Sequence, residues 1–205
     1  MGLPRFAVVD LETSGLRAER HRILQVAMVT VDAHGTVHDE WETFVKLRWP
    51  LGRVGPSDVH GITRPMLRDA PRLASVVAEL GDRLGDSMFV AHNARFDGAF
   101  LERAARRRPT SELARLERRL CTLRMSRRLD PDRRCSHRLG DVCARYGVAL
   151  DRPHDALHDA RATGAILPHL LRDLRVETLH DLEPFLDRAP SRAQRSSRWS
   201  IRRHP

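Results

Sequence analysis

Two acidic residues stand two positions apart where an apolar segment ends near the beginning of the chain. The segment is FAVVDLETSGL, and its carboxylates belong to Asp10 and Glu12. Alternate side chains share one face of a β-strand, so both carboxylates are expected to point in the same direction from the strand end. Two carboxylates on one face repel each other, and a hard cation such as Mg²⁺ or Mn²⁺ would relieve that repulsion. A strand end that is merely solvated would show the same pattern, so the metal hypothesis needs further acidic residues.

Two later segments supply further carboxylates. In AHNARFDGAFL an apolar strand ends and Asp97 follows in the first turn of a helix, where the helix dipole alone would also favour an acid. In HDALHDA, Asp159 lies near the start of the last long helix, where it could instead be a solvent-facing acid. The residues around Asp159 are small, which would let this helix pack closely on a sheet and carry Asp159 inward. These small residues are Ala156, Ala160, Ala162 and Ala165.

One histidine near the last carboxylate is placed to move a proton. His154 follows Pro153 and precedes Asp159 by five residues, so we expect it just outside the helix and free to turn toward a water molecule. His158 is the helical neighbour of Asp159 and would point about 100° away from it. Histidine changes charge near neutral pH and is a frequent general base. Activity that depends on His154 should therefore rise with pH through the histidine titration.

The elements that must position these residues follow from the apolar periodicity. Strands are predicted over residues 5–9, 22–31, 36–47, 87–91 and 120–123, with a turn at His34-Gly35 and an irregular loop over 48–67. Helices are predicted over 73–84, 95–108, 111–118, 136–146 and 156–174, with a short helix after 123. Gly147 is expected to end the helix over 136–146. Three strands followed by alternating helices and strands predict an α/β fold, a ribonuclease-H-like mixed sheet flanked by helices.

Length and charge define the domain organisation. The 205 residues predict one domain over 1–185 and a basic tail over 186–205, whose composition predicts disorder. The tail holds six Arg and one Asp, so it contributes +5 of the net charge of +9. This charge favours a polyanionic partner, although an arginine-rich composition can also reflect a GC-rich genome.

The remaining composition predicts a cytoplasmic location. The apolar runs are too short to span a membrane and no secretory leader precedes the first strand, so no membrane partner is expected. Cys121, Cys135 and Cys143 lack paired spacing and are predicted to be reduced, mostly buried thiols. A zinc site formed by Cys135, His137 and Cys143 is the weaker alternative.

Four segments together resemble a known family. FAVVDLETSGL, VHGIT (59–63), AHNARFD (91–97) and HDALHDA (154–160) match, in order and spacing, the motifs of the DEDDh 3′→5′ exonucleases, the group that includes the proofreading subunit of bacterial replicative DNA polymerase. The resemblance covers residues 5–173. It implies that His154 is the general base and that two divalent cations, Mg²⁺ or Mn²⁺, are held by Asp10, Glu12, Asp97 and Asp159. The related subclass has a tyrosine four residues before the last acid, where this chain has Asp155.

The resemblance also implies substrate contacts. Thr13 and Leu16 would bracket the 3′-terminal nucleotide, while His60, Asn93 and Phe96 would hold the sugar and the penultimate nucleotide. From the residues alone, Phe96 could equally belong to the core and His60 could be a turn residue before Gly61. Apolar or aromatic side chains at such a site are expected because the bases of a frayed 3′ end need surfaces on which to stack.

The implied activity is the release of nucleoside monophosphates from single-stranded or frayed 3′ ends of DNA, in proofreading, repair or turnover, with a polymerase as one candidate partner. Two alternatives remain. The first is an exoribonuclease of the same superfamily acting on RNA, and the second is a non-catalytic scaffold bound to a polymerase. All five catalytic positions are filled, which favours an enzyme over the scaffold.

Overall fold

A six-stranded mixed sheet with helices on both faces forms the centre of the protein, in a computed structural model that describes residues 2–47, 52–105 and 118–188. The strands are β1 (Phe6–Thr13), β2 (Ile23–Val31), β3 (Val37–Phe44), β4 (Met88–Ala91), β5 (Arg118–Cys121) and β6 (Leu186–Arg188). Their order across the sheet is β3-β2-β1-β4-β5-β6. The β1–β4 and β4–β5 pairs are parallel and the other three are antiparallel, which confirms the mixed sheet expected from the order of elements.

Two layers of helices cover this sheet. The helices are α1 (Ser57–His60), α2 (Leu73–Leu84), α3 (Ala94–Ala105), α4 (Thr122–Arg128), α5 (Leu139–Tyr146) and α6 (Ala156–Asp173), with 3₁₀ turns at Pro65–Leu67 and His180–Phe185. One core lies between the sheet and α5 and α6, and a second lies between the sheet and α2 and α3. Within the described part of the chain, no helix has the length and apolar character that a membrane crossing requires.

Most predicted elements are confirmed, and the differences cluster around β1 and β5. β1 continues to Thr13 instead of ending at position 9, so Asp10 and Glu12 lie inside the strand and not beyond it. The strand predicted over 120–123 is shifted to Arg118–Cys121, and Thr122 already begins α4. The predicted helix over 111–118 lies outside the described residues, except that Arg118 is in β5. The helix predicted from 136 begins at Leu139 and ends, as expected, at Gly147 in the left-handed conformation.

The sheet continues past the point where the tail was predicted to begin. Leu186–Arg188 forms the edge strand β6 and pairs antiparallel with β5, so β5 is not the last strand. Leu186 is buried in the core beneath α6. Three residues of regular structure were too short a pattern to detect in a basic segment, and positions 189–205 lie outside the described residues.

Close packing of α6 on the sheet depends on small residues, with one correction. Ala156, Ala160 and Ala162 are buried as expected, but Ala165 faces solvent. Its neighbour Gly164 makes the close approach instead, since a Cβ there would lie 3.3 Å from Cγ1 of Val31. The helix therefore lies near the strands that carry the acidic residues.

An arginine is buried in the middle of β5, against the backbone of α3. The Arg119 side chain is 2% exposed, and its guanidinium donates to Glu102 of α3 at 2.7 Å. A Cβ on Gly98 would lie 1.5 Å from one guanidinium nitrogen, so only glycine fits there. The arginine therefore sets how closely α3 approaches the sheet.

Replacing Gly98 with alanine is expected to lower the free energy of unfolding by about 3 kcal/mol, because the methyl group must displace a buried, ion-paired guanidinium. Denaturant titration of both proteins measures the difference. Gly140→Ala in α5 is the matched control, since its Cβ would approach nothing closer than 3.8 Å. We expect that control to change stability by no more than about 1 kcal/mol, in the stabilising direction. Equal effects at the two positions would contradict the packing argument.

Candidate active site

The carboxyl end of β1 extends beyond its parallel neighbour. β4 pairs with β1 only as far as Val8, whereas β1 continues to Thr13 along β2. Beyond Val8 one edge of β1 is therefore open to groups from the helices. Asp97, in the first turn of α3, uses this opening and accepts a hydrogen bond from the backbone N–H of Leu11. The register of β1 also shifts between Glu12 and Thr13, and such irregularities often re-aim side chains beside active sites.

Asp10 and Glu12 face the side of the sheet that α6 covers. Phe6 and Val8 pack into the core beneath α6, and strand alternation places the two acidic residues on the same face. Asp10 is half-buried and Glu12 is buried. The sequence-based expectation that both point the same way therefore agrees with the structure.

The start of α6 brings the last acid and the histidine to this place. Asp155 caps the helix, and its side chain accepts hydrogen bonds from the backbone N–H groups of Leu157 and His158. His154 lies just outside the helix, as expected, with a left-handed backbone (φ 67°) that is strained for a residue with a Cβ. Its backbone N–H donates to Oδ2 of Asp159 at 3.2 Å. The turn before α6 therefore ties His154 to Asp159.

Three of the candidate residues come within metal-binding distance of one another. One ligand atom each from Glu12, His154 and Asp159 lie within 4.8 Å of one another. Oδ1 of Asp159 is buried and has no hydrogen-bond partner among the described residues. Because an unpartnered buried carboxylate oxygen is costly, this atom is directed at a site that a ligand can complete.

The pKa shifts of the acidic residues show that Asp10 and Asp97 belong to the same cluster. Burial, followed by repulsion from Asp97, Asp159 and Glu12, raises the pKa of Asp10 well above its usual value. Burial, with repulsion from Asp159 and Asp97, raises the pKa of Glu12 to about 8. Burial also raises the pKa of Asp97 to about 7, although two backbone N–H groups and the charge of Arg119 oppose this. Burial likewise raises the pKa of Asp159, against a hydrogen bond from the His154 backbone.

These properties fit a pair of divalent cations. Asp97 and Asp159 raise the pKa values of both Asp10 and Glu12 by repulsion, which indicates a concentrated negative charge, and hard cations prefer carboxylate oxygens. Oδ1 of Asp159 supplies a ligand atom that no group in the described part of the chain bonds to. The donor set is all oxygen apart from the His154 ring, which favours Mg²⁺ or Mn²⁺ over softer metals.

The raised pKa values predict how stability depends on pH. A carboxyl group with a raised pKa in the folded state keeps a proton that the unfolded chain releases, so its contribution to stability is complete below its unfolded pKa and is lost as pH rises through the folded value. For Glu12 and Asp97 this window runs from about pH 4 to about pH 8. We therefore expect the metal-free protein to lose stability as pH rises from 5.5 to 8.5 in EDTA, measured by denaturant titration. Added Mg²⁺ should restore that stability, most strongly at pH 8.5.

A control separates these carboxyl groups from the histidines. Burial lowers the pKa of His92, so this histidine makes the folded protein more stable as pH rises. Its contribution therefore opposes the loss of stability that the carboxyl groups cause. Asp10→Asn removes one charge from the cluster and leaves His92 unchanged, so the variant should show a shallower loss than the wild-type protein. Identical pH profiles for the two proteins would contradict the carboxylate argument.

The residues predicted to contact the terminal nucleotide lie at the end of β1. Thr13 is buried, and its hydroxyl donates to the carbonyl of Gly15 at 2.9 Å, which shapes the turn that follows the strand. Leu16 is 82% exposed, an unusual exposure for a leucine beside an acidic cluster. Its exposed apolar surface is available to a base, and its substrate role stays a prediction.

The loop that carries His60 packs directly on this turn. Gly55 approaches the backbone of Ser14 so closely that a Cβ would lie 2.4 Å from its carbonyl oxygen. His60 is buried; its Nδ1 accepts from the Ile62 N–H, so its Nε2 donates to the Val54 carbonyl. Both ring nitrogens are therefore used within the loop, as the turn-residue alternative requires. A sugar contact by His60 stays a prediction.

Asn93 and Phe96 lie where β4 passes into α3, the helix that carries Asp97. Asn93 is exposed, and its carbonyl accepts from the N–H of Phe96. Phe96 is half-buried and packs against Phe100 with 5.1 Å between ring centroids. It belongs partly to the core and keeps part of its ring accessible, so both interpretations made from the sequence retain support.

Sequence reasoning missed two features of the site. Asp155 adds a fifth negative charge that raises the pKa of Asp10 and Glu12. The available signal in the sequence was an acidic residue at the helix-cap position directly before α6. Behind Asn93, the ring of His92 contacts the Thr122 hydroxyl and the His137 carbonyl, each at 2.9 Å. These bonds connect the end of β4 to the start of α4, and no spacing pattern in the sequence predicts them.

The zinc alternative receives no support in the described residues. His137 contacts the Ser126 hydroxyl and the Asp130 carboxylate through its two ring nitrogens. The cysteines are free thiols, with Cys121 and Cys143 buried and Cys135 exposed. Within the described ranges, the one group of side chains close enough to share a metal ion is Glu12, His154 and Asp159.

Converging carboxylates beside a histidine, at the edge of a mixed sheet, are typical of a nuclease. The chain belongs to the exonuclease (RNase T) family, whose model matches residues 7–167. The PolC-type DNA polymerase III of Bacillus subtilis is 34% identical over 168 residues, which cover 82% of this chain and 11% of that polymerase. The Streptococcus suis polymerase of the same type is also 34% identical over 168 residues. The chain thus spans only a small part of the length of these relatives.

Solved structures of exonucleases share the fold. Exonuclease I of E. coli, in complex with a dT13 oligonucleotide, superposes with a TM-score of 0.71 at 22% identity, covering 82% of this chain and 41% of that one. The nuclease domain of 3′hExo, a DEDDh family member bound to rAMP, superposes with a TM-score of 0.72 at 16% identity, covering 83% and 93%. These comparisons confirm the predicted ribonuclease-H-like fold and the resemblance to DEDDh exonucleases.

Proposed function

We propose that this protein is a 3′→5′ exonuclease that uses two divalent cations, Mg²⁺ or Mn²⁺, to release nucleoside monophosphates from single-stranded or frayed 3′ ends of DNA. The observation that carries the proposal is the approach of Glu12, His154 and Asp159 to within 4.8 Å, with a buried carboxylate oxygen left unpartnered. Membership of the exonuclease family agrees with hydrolysis of a nucleic-acid end.

The four acidic residues would hold the cations from three directions. Asp10 and Glu12 approach from β1, Asp97 from α3 and Asp159 from α6. When bound, the cations supply positive charge against the scissile phosphate and acidify a water molecule. The chain contributes rigid elements that keep the carboxylates together despite their repulsion, so little reorganisation is needed when substrate arrives.

His154 would act as the general base. Water attacks the terminal phosphorus, the bond to the 3′-oxygen of the preceding nucleotide breaks, and His154 takes the proton that the water loses. The departing 3′-oxygen takes up a proton from solvent, which leaves a nucleoside 5′-monophosphate and a shortened chain. His154 is exposed at the edge of the cluster, so it can afterwards release its proton to solvent.

The surroundings of the cluster fit a single unpaired 3′ end. Leu16 offers exposed apolar surface after the end of β1, and Phe96 offers part of a ring in the first turn of α3. Stacking of bases on such surfaces is tolerant of sequence. The amide of Asn93 is exposed between β4 and α3, where it can bond to a sugar or a phosphate.

DNA is the proposed polymer because the Bacillus subtilis and Streptococcus suis relatives are DNA polymerases. Their identity of 34% over most of this chain supports a proofreading role with a polymerase partner, with repair or turnover as the other settings. RNA is the competing substrate, since 3′hExo has been solved with rAMP.

Hydrolysis of 5′-labelled single-stranded DNA and RNA of matched sequence tests the proposal. The reactions contain Mg²⁺, Mn²⁺ or EDTA, and the products are separated by length. We expect a ladder that shortens from the 3′ end with either metal and is absent in EDTA, with DNA degraded faster than RNA. Faster degradation of RNA would reassign the substrate, and no cleavage of either polymer would favour the scaffold alternative.

A further inference from the structure

A basic cavity lies on the flank of the domain, away from the acidic cluster. It has a volume of about 720 Å³ and lies between α4, the end of α6 and the 3₁₀ turn before β6. Its charged walls include Arg124, Arg127 and Arg128 of α4, with Arg175 and His180 opposite them. Leu174, Pro184 and Phe185 give it an apolar side.

Among the described residues that line this cavity, positive charges outnumber negative ones. The single acid of the lining, Asp181, already accepts two backbone N–H groups and the hydroxyl of Thr178. Arg124 donates to the carbonyls of Pro184 and Leu186, which holds it in the wall. Across the described ranges, no ion pair neutralises Arg127, Arg128 or Arg175. Exposed guanidinium groups with no carboxylate partner suit an anionic ligand.

The cavity is connected to the active site by one short helix. α4 begins at Thr122, whose hydroxyl contacts His92 beside Asn93, and it carries Arg127 and Arg128 at its other end. Seven residues of helix span about 10 Å. Burial lowers the pKa of His92, and the positive charge of Arg127 lowers it further, so a charge at one end of α4 acts on a residue that contacts the other end. The acidic cluster and the cavity also lie at opposite ends of α6, since Asp159 is in its first turn and Leu174 follows its last residue, about 22 Å of helix away. A strand whose 3′ end occupies the acidic cluster would therefore reach the cavity after several nucleotides.

We propose that this cavity binds the phosphodiester backbone of the nucleic-acid strand, several nucleotides before the 3′ end that is being hydrolysed. This inference rests on the proposed exonuclease function. Guanidinium groups bind phosphate through paired hydrogen bonds, and a positive groove that follows the backbone is a common way to hold single strands without sequence preference. The cavity would keep long substrates bound between successive cleavages.

The test uses Arg127→Gln with Arg128→Gln, which removes two charges and keeps the length of the side chains. The matched control is Arg5→Gln with Arg72→Gln, which removes two exposed charges that are not part of the cavity lining. Binding of a fluorescent 20-nucleotide dT strand is measured in EDTA at several salt concentrations. We expect the cavity variant to bind about tenfold more weakly, with a salt slope that is smaller by about 1.4 for two lost phosphate contacts. A cavity variant that binds like the control would overturn the proposal.

Hydrolysis of two substrates separates this inference from the function on which it rests. The p-nitrophenyl ester of thymidine 5′-monophosphate fills the acidic cluster alone and is too small to reach the cavity. We expect the cavity variant to hydrolyse this ester at the wild-type rate and to lose about tenfold in kcat/KM on the 20-nucleotide strand. Equal loss on both substrates would overturn the cavity as a separate site. If the wild-type protein hydrolysed neither substrate, the proposed function would fail, and the binding measurement would still decide the cavity.

Discussion

Asp10→Asn is expected to lower the rate of 3′-terminal hydrolysis at least about 10³-fold while making the metal-free protein more stable at pH 8. Asp10 repels Asp97, Asp159 and Glu12 at once, so it lies where all four carboxylates can share bound cations. On the proposed function Asp10 would help to hold the cations, so removing its charge would weaken their binding and the stabilisation of transition-state charge that they would supply. The same change relieves repulsion in the absence of metal. Turnover of labelled DNA and denaturant titration in EDTA measure the two effects.

The opposite signs of these effects make the Asp10 prediction specific. Asp82→Asn, on the exposed face of α2, is the control and should change neither quantity. A general loss of folding in the Asp10 variant would lower both activity and stability. Near-normal turnover would remove Asp10 from the proposed metal site, whatever the change in stability.

His154→Gly is expected to reduce turnover between about 10²- and 10⁴-fold and to raise the free energy of unfolding by about 1 kcal/mol. The loss follows from removing the general base. The gain follows from the left-handed backbone of His154, which glycine adopts without strain. Single-turnover hydrolysis and denaturant titration provide the two readouts.

Two further variants divide the His154 effect into its parts. His154→Ala should lose as much turnover as the glycine variant but gain no stability, because alanine keeps the Cβ that opposes a positive φ. His158→Ala removes the neighbouring histidine of α6 and should retain near-normal turnover. If His158→Ala lost more activity than His154→Ala, the assignment of the base would be wrong.

Local patterns in the sequence predicted the elements that hold the acidic residues, and the resemblance of four segments to one family selected those residues as a site. Alternation in β1 placed Asp10 and Glu12 on one face, and the strand-to-helix passage before Asp97 placed it in the first turn of α3. The small residues of α6 and Pro153 placed Asp159 inward and His154 outside the helix. Each of these properties depends on a repeat of two or 3.6 residues, which a short segment already contains.

The tertiary structure alone decided how these elements meet. The early end of β4 exposes the Leu11 N–H that Asp97 accepts, and the buried Arg119 sets the spacing between α3 and the sheet. The same holds for the edge strand β6 and for the cavity in which the arginines of α4 lie near Arg175, which follows α6. An arginine in a sequence is expected at the surface, and only a partner distant in the chain, such as Glu102 for Arg119, makes its burial favourable. Contacts between distant segments are not encoded in any local repeat, so the sequence could supply the candidate active-site residues but not the packing that orients them.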